Sequence, residues 1–367
     1  MKTLFTITFN ILYGLAAAAP ANFEGTAKQL ADPNFGPVPG QDPLWSSYSG
    51  VDPTFPGNIK DPILPTEHGE PAVDDVVWQN LLAAEWVIFE LYQYGVETFT
   101  SEQFVEAGYP NTTYDRIVEI RNNEAGHLRI FQNKISPNSI KPGACRYQIP
   151  VYEPFTFLAI ATLFEISSMA FLTGLVQQAQ LPESHAAMVA IAEVETRHET
   201  WALIDLWKEN PFGGPSDTIF PYANEILEGT NPYVIPGSCP KENPEYPYPR
   251  QDLPPFSPAK TTKSLMPGDT FAVNFTDPTN LPSFEEGTQY YMTFFHGPAN
   301  ISIPIDVHGF PDVPIEVQIP AQLEVKGIYL TVITDTMGAP SVDTVKAGPN
   351  IILQQPASLG LAVVQYE

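Results

Sequence analysis

The sequence predicts an α plus β chain of two domains: a four-helix bundle able to hold two metal ions, then a small immunoglobulin-like β-sandwich. Three observations carry this prediction. Four stretches of helical pattern bring, in order, Glu85, Glu124-Ala125-Gly126-His127, Glu165 and Glu195-Thr196-Arg197-His198. A proline-dense stretch, residues 211–260, then breaks every period and reads as a stiff linker marking the domain boundary. Beyond it, about seven short β-branched or aromatic runs replace the helical pattern.

Residues 1–19 have the form of a signal peptide: Lys2, an apolar core from Leu4 to Leu15, and small residues Ala16 to Ala19. That apolar run is too short to span a bilayer. Secretion, to the extracellular space or cell wall, is the expected localisation, and no membrane span is expected once the signal is cleaved. Three Asn-x-Ser/Thr sequons, at Asn111, Asn274 and Asn300, agree with it as glycosylation sites. Cys145 and Cys239 are the two cysteines, and an even pair in a secreted chain is expected to be bridged. Residues 20–72 form a proline-rich arm whose Phe35, Trp45, Tyr48 and Phe55 are apolar anchors for wrapping the domain that follows.

The bundle is expected over residues 73–210. Helix one, residues 74–99, aligns Leu81, Leu82, Glu85, Ile88, Phe89 and Tyr92, with Glu90 as a rival ligand near the same face. Helix two, residues 114–135, aligns Ile117, Ile120, Glu124, His127, Leu128 and Phe131. Helix three, residues 155–180, has Glu165 as its one ionisable residue, which also makes it a candidate membrane span by length and composition. Helix four, from Pro182 to about Trp207, aligns Met188, Ile191, Glu195, His198 and Leu206. Short, long and short connections fit a bundle with one long crossover.

One Glu from each of two helices and a Glu-x-x-His from each of the other two is the ligand set of a dimetal carboxylate bundle. Four unpaired carboxylates facing one core would cost several kcal/mol each, and two divalent cations offset that cost. The competing reading is a degenerate site whose carboxylates pair with Arg121, Arg129 or Arg197.

Residues 73–210 resemble the ferritin-like domain of the secreted stress and desiccation-related proteins of plants and fungi. The resemblance rests on Ala84-Glu85-Trp86, Asn123-Glu124-Ala125-Gly126-His127, Leu163-Phe164-Glu165 and Glu195-Thr196-Arg197-His198-Glu199. It implies a metal site at Glu85, Glu124, His127, Glu165, Glu195 and His198. Ile88 departs from it, standing where members often have a second Glu.

Carboxylates with two imidazoles suit Fe or Mn. Glu124 and Glu195 would bridge or chelate, Glu85 and Glu165 would be terminal, and each His would hold one ion. Reaction with O2 or peroxide, of ferroxidase or peroxide-scavenging type, is the enzymatic reading. The alternatives are a non-enzymatic wall or matrix protein protecting against stress, and a binder of wall polysaccharide. Glu193 and Glu199 are candidates to orient the imidazoles, or else face solvent. A formal charge of −25 excludes nucleic acid and anionic membrane as partners. A monomer is expected, since the arm and sandwich would obstruct a closed shell.

The sandwich is expected over residues 261–367, with strands at 271–275, 289–295, 301–307, 315–319, 327–334, 351–355 and 360–366. Tyr290, Tyr291, Phe294 and Phe295 are either core or a sugar-binding face. His296 and His308 form no metal set.

Overall fold

The computed structural model describes residues 60–214, 220–259 and 265–354. The signal-like residues, most of the arm with its four aromatic anchors, and the strand expected at 360–366 lie outside them.

Four long helices make the bundle: α1 Asp75–Thr98, α3 Thr113–Lys134, α4 Pro154–Val176 and α5 Pro182–Trp201. Two short helices accompany them, α2 Ser101–Glu106 and α6 Ala223–Glu228. Proline opens α4 and α5 at a position where no backbone N–H is needed. In α2, Thr100 and Gln103 close a reciprocal capping box. Asp74, at the head of α1, caps elsewhere, taking the N–H groups of Gln180 at 2.8 Å and Leu181 at 3.1 Å. Neighbouring Asp75 accepts from Ser136 and Ser139 and so fastens the end of α3 to the start of α1.

Two of the expected helix ends move. Helix three stops at Val176, short of residue 180, and helix four leaves the α-helical path at Trp201 to continue as a π turn, Ala202–Leu206. α1 packs on α3, and α4 packs on α5, α1 and α6. This enclosure explains the apolarity of α4. Its most hydrophobic window is 78% buried inside the fold, so composition that passes a membrane test here serves a core helix.

Two glycines permit close approach. A Cβ on Gly95 would stand 2.3 Å from the Phe157 ring, and one on Gly174 would stand 2.5 Å from the Phe220 carbonyl oxygen. Ala is a better helix former than Gly by about 1 kcal/mol. Even so, Gly174→Ala is expected to lose on the order of 1–3 kcal/mol, because the obstacle is backbone and cannot rotate away. Chemical denaturation checks this, and a gain in stability would refute it.

Among the described residues, seven strands form two antiparallel sheets. One has the order β1 (Phe256–Pro258), β2 (Thr270–Phe275), β5 (Glu316–Gln318), and the other β4 (Ala299–Ile305), β3 (Tyr290–His296), β6 (Ile328–Thr334), β7 (Val345–Leu353). β1 hides in the proline-rich stretch because it is an edge strand, where Pro258 lacks no needed donor. β7 starts six residues before the expected position, at Val345 rather than residue 351. It takes in Pro349 by bulging, with Ala347 opposite Ile333 and Asn350 opposite Thr331. Gly348, at φ 107°, supplies the left-handed backbone for that bulge.

The central strands β3 and β6 of the four-stranded sheet are buried on both faces. Met292, Phe294, Tyr329 and Ile333 face the other sheet, whereas Phe295, Ile328, Leu330 and Val332 join the core of the helical region. Phe220 and Tyr222 meet Phe295 edge-on at 5.6 and 6.1 Å. The proline-rich stretch is therefore packed between the two halves instead of spanning open space. Of the aromatic run on β3, Tyr290, Phe294 and Phe295 are buried, so they serve packing. His296 is buried as well and donates from Nδ1 to the Ile328 carbonyl at 2.9 Å.

Glu225 sits at this junction on α6, only 7% exposed. Burial, reinforced by nearby Glu228, raises its pKa to about 7. A value raised above the unfolded one stabilises the fold below about pH 4.5, and that contribution disappears as pH rises through about 7. Glu225→Gln is thus expected to be more stable than wild type above pH 7, by up to about 3 kcal/mol, and equal to it in acid. Urea midpoints of both chains across that range provide the check.

Candidate metal centre

The four long helices turn one carboxylate each toward a common interior, and α3 and α5 add an imidazole three residues on, one turn along the same face. Glu85, Glu124, Glu165 and Glu195 are at most 3% exposed, His127 4% and His198 5%. His127 Nδ1 lies 3.1 Å from Glu85 Oε1, 2.9 Å from Glu124 Oε2 and 3.2 Å from Glu195 Oε1. His198 Nδ1 lies 3.1 Å from Glu124 Oε1 and 3.3 Å from Glu165 Oε2, with Glu195 Oε2 at 3.8 Å.

These contacts resolve into two overlapping groups. Glu85, Glu124, His127 and Glu195 bring ligand atoms within 4.8 Å of one another, and so do Glu124, Glu165, Glu195 and His198. Glu124 and Glu195 belong to both. Each group has one private carboxylate and one imidazole, which is the layout of two ions side by side with two shared carboxylates.

Electrostatics describe the same arrangement from the metal-free side. Burial pushes the Glu85 and Glu165 carboxyls up, and neighbouring carboxylates hold them well above the usual range. Burial also pushes Glu124 up, but the two imidazoles outweigh it and keep that group ionised. For His198, burial works against the proton, yet Glu165 and Glu124 prevail and raise its pKa to about 10. His127 rises likewise against its burial, chiefly through Glu124.

The residues fit a divalent pair on two further counts. Glu124 Oε1, fully buried at the centre, makes no hydrogen bond, its approach to His198 being poorly aligned. Four hard carboxylates and two imidazole nitrogens are the donor set suited to Fe or Mn.

Two orienting groups escaped the sequence reading. Tyr92, one face-turn along from Glu85, donates its hydroxyl to Glu165 Oε1 in a short hydrogen bond. Burial, then Glu165, holds its pKa well above the ordinary value, so it remains a donor. His198 Nε2–H donates to Asn123 Oδ1 at 3.1 Å, which leaves Nδ1 toward the carboxylates. Asn123 was visible beside Glu124 in the motif, though nothing in the spacing assigned it a task. Ser168 adds a 3.3 Å contact to Glu195 Oε2. Glu193 is exposed and cannot orient an imidazole, while Glu199 is half-buried, its pKa raised by burial to about 7. The rival Glu90 turns away to Lys60. Arg121 reaches Gln93 and Asn122.

Residues 74–205 match the family model of the ferritin-like domain. The matched span runs from the head of α1 to the π turn after α5 and contains all six cluster residues. Among curated proteins, none matches the chain.

The other singled-out residues lie apart from this centre. Cys145 and Cys239 are joined by a disulfide. Asn111 and Asn300 are exposed, and Asn274 is half-buried on β2.

Proposed function

We propose that this protein is an extracellular stress-related protein whose ferritin-like region holds two iron or manganese ions and reacts with peroxide or O2. The observation that carries the reading is the pair of four-ligand groups sharing Glu124 and Glu195. Glu124 and Glu195 would bridge or chelate, Glu85 and His127 would complete one position, and Glu165 and His198 would complete the other. Such a pair of ions supplies two electrons to peroxide, which with two protons leaves as two waters. Tyr92 fixes the Glu165 carboxylate, Asn123 fixes the His198 ring, and the surrounding helices bury the six ligands to at most 5% exposure.

The extracellular assignment draws support from the signal-like residues 1–19, the sequons and the Cys145–Cys239 bond. We read the two sheets as an immunoglobulin-like sandwich and the chain as a monomer. Burial of the ligands favours one alternative, a non-enzymatic protein in which the metal braces the bundle. Elemental analysis of secreted protein beside a Glu124→Ala/Glu195→Ala double variant separates these readings. About two Fe or Mn per chain, lost in the variant, is expected. Peroxide consumption by the loaded protein alone then marks the enzyme. Absence of transition metal in the wild type would refute both metal readings.

A further inference from the structure

A pocket of about 540 Å³ reaches one of the six cluster residues, His198. It lies between α3, which contributes Arg116, Glu119 and Asn123, and the end of α5 with its π turn, which contributes Arg197, His198 and Asp205. α3 and α5 touch only sparsely compared with the α1–α3 and α4–α5 pairs, so the bundle has a seam here. The π turn Ala202–Leu206 follows α5 at the end of that seam, and π segments recur at functional sites.

The hydrogen-bonded pair Asn123 and His198 lines the pocket. Asn123 Oδ1 is taken by the imidazole, which leaves its Nδ2 group as a donor to an incoming oxygen atom. The rim carries two guanidinium groups and two carboxylates, and Arg116 is ion-paired with Glu119. A port for free cations or for anions shows one sign of charge, because focusing of the field is what raises the local ion concentration. A balanced rim offers no such field.

We propose that this α3–α5 pocket is the entrance to the metal centre for a small uncharged oxygen species, with Asn123 as the positioning residue that closes its inner end. The inference rests on the dimetal reading. Substrate enters past Glu119, meets the Asn123 amide, and passes His198 to the position held by Glu165 and His198. The ions themselves take another path.

Two measurements test it, one of which needs no metal. Metal-free protein is treated with diethyl pyrocarbonate, an uncharged imidazole reagent, and modification is mapped by mass spectrometry. The reagent takes only an unprotonated ring, so the His198 rate is compared between variants at one pH, where access through the pocket is expected to set it. Glu119→Trp, an exposed position whose indole fills the mouth, slows that reaction, Glu119→Gln leaves it unchanged, and Asn123→Ala speeds it. Indifference of the His198 rate to Glu119→Trp overturns the entrance. In the second measurement, nitric oxide association with iron(II)-loaded protein is expected to slow about tenfold in Glu119→Trp, while Mn(II) uptake by metal-free protein keeps its wild-type rate. Slowed Mn(II) uptake would make the pocket a cation port and overturn the assigned substrate class. Failure of the dimetal reading shows itself separately, as wild-type protein that holds no iron while the diethyl pyrocarbonate result stands.

Discussion

Loading metal-free protein with Fe(II) or Mn(II) is expected to raise its melting temperature by on the order of 10 °C, and the Glu124→Ala/Glu195→Ala variant is expected to show no rise. A ligand that binds only the folded state stabilises it by about 4 kcal/mol at a thousandfold excess over its dissociation constant. Because the two positions share Glu124 and Glu195, that figure is taken for the pair and not for each. Each kcal/mol moves the midpoint of a domain of this class by roughly 2–4 °C. The folded chain alone gathers the six ligands, since they come from residues 85 to 198 and four separate helices, so binding to the unfolded chain is a small correction. Truncating Glu124 and Glu195 removes both shared carboxylates and with them both positions. Differential scanning calorimetry with and without a chelator provides the check. An unmoved wild-type midpoint at saturating metal would mean that the protonated imidazoles and carboxylates are the finished structure, with no place for an ion.

The six cluster residues were legible in the sequence because helical periodicity is itself a geometric statement. Glu124 and His127 three residues apart share a face whatever surrounds them, and apolar neighbours at the same spacing give that face its direction. Legibility ended where contact replaced period. Asn123 is next to Glu124 in sequence yet acts on His198 across the bundle, and only packing of α3 beside α5 brings the two together. α6 was missed because six residues, Ala223–Glu228, are too few to display a period. It forms because its apolar residues fill a gap left by Gly174 on α4. The proline-rich stretch read as a spacer since proline forbids helix and central strand. Nothing in composition says that Asn80 will both donate to and accept from the backbone of Tyr248 and hold that stretch down. β6 read as a strand but not as a doubly covered one, although its unbroken run Ile328–Thr334 is the pattern of a strand buried on both faces.

Replacing both bridged cysteines, Cys145→Ser with Cys239→Ser, is expected to lower the melting temperature by an amount comparable to the metal effect and of opposite sign. The bond closes a loop across 94 residues of sequence, from the α3–α4 crossover to the proline-rich stretch. In the chain-entropy account, a link of this span stabilises by about 4–5 kcal/mol, because the unfolded chain loses the freedom of that loop. Native contacts beside the bond resist its loss only locally. Ile235 N–H donates to the Arg146 carbonyl, Gln148 N–H donates to the Tyr233 carbonyl, and Asn243 exchanges hydrogen bonds with the backbone of Gly143. All three are made by segments that would be free to separate in the unfolded state without the bond. The ligand-bearing helices α1, α3, α4 and α5 include neither cysteine, so metal content per chain is expected to stay at the wild-type level in the double serine variant. Paired calorimetry and elemental analysis would show a fall on the order of 10 °C with unchanged metal. A fall of only a degree or two would mean that the hydrogen-bonded ladder already holds the crossover to the proline-rich stretch in the unfolded ensemble. A parallel loss of metal would mean instead that this clamp, outside the bundle, sets the spacing of the helices within it.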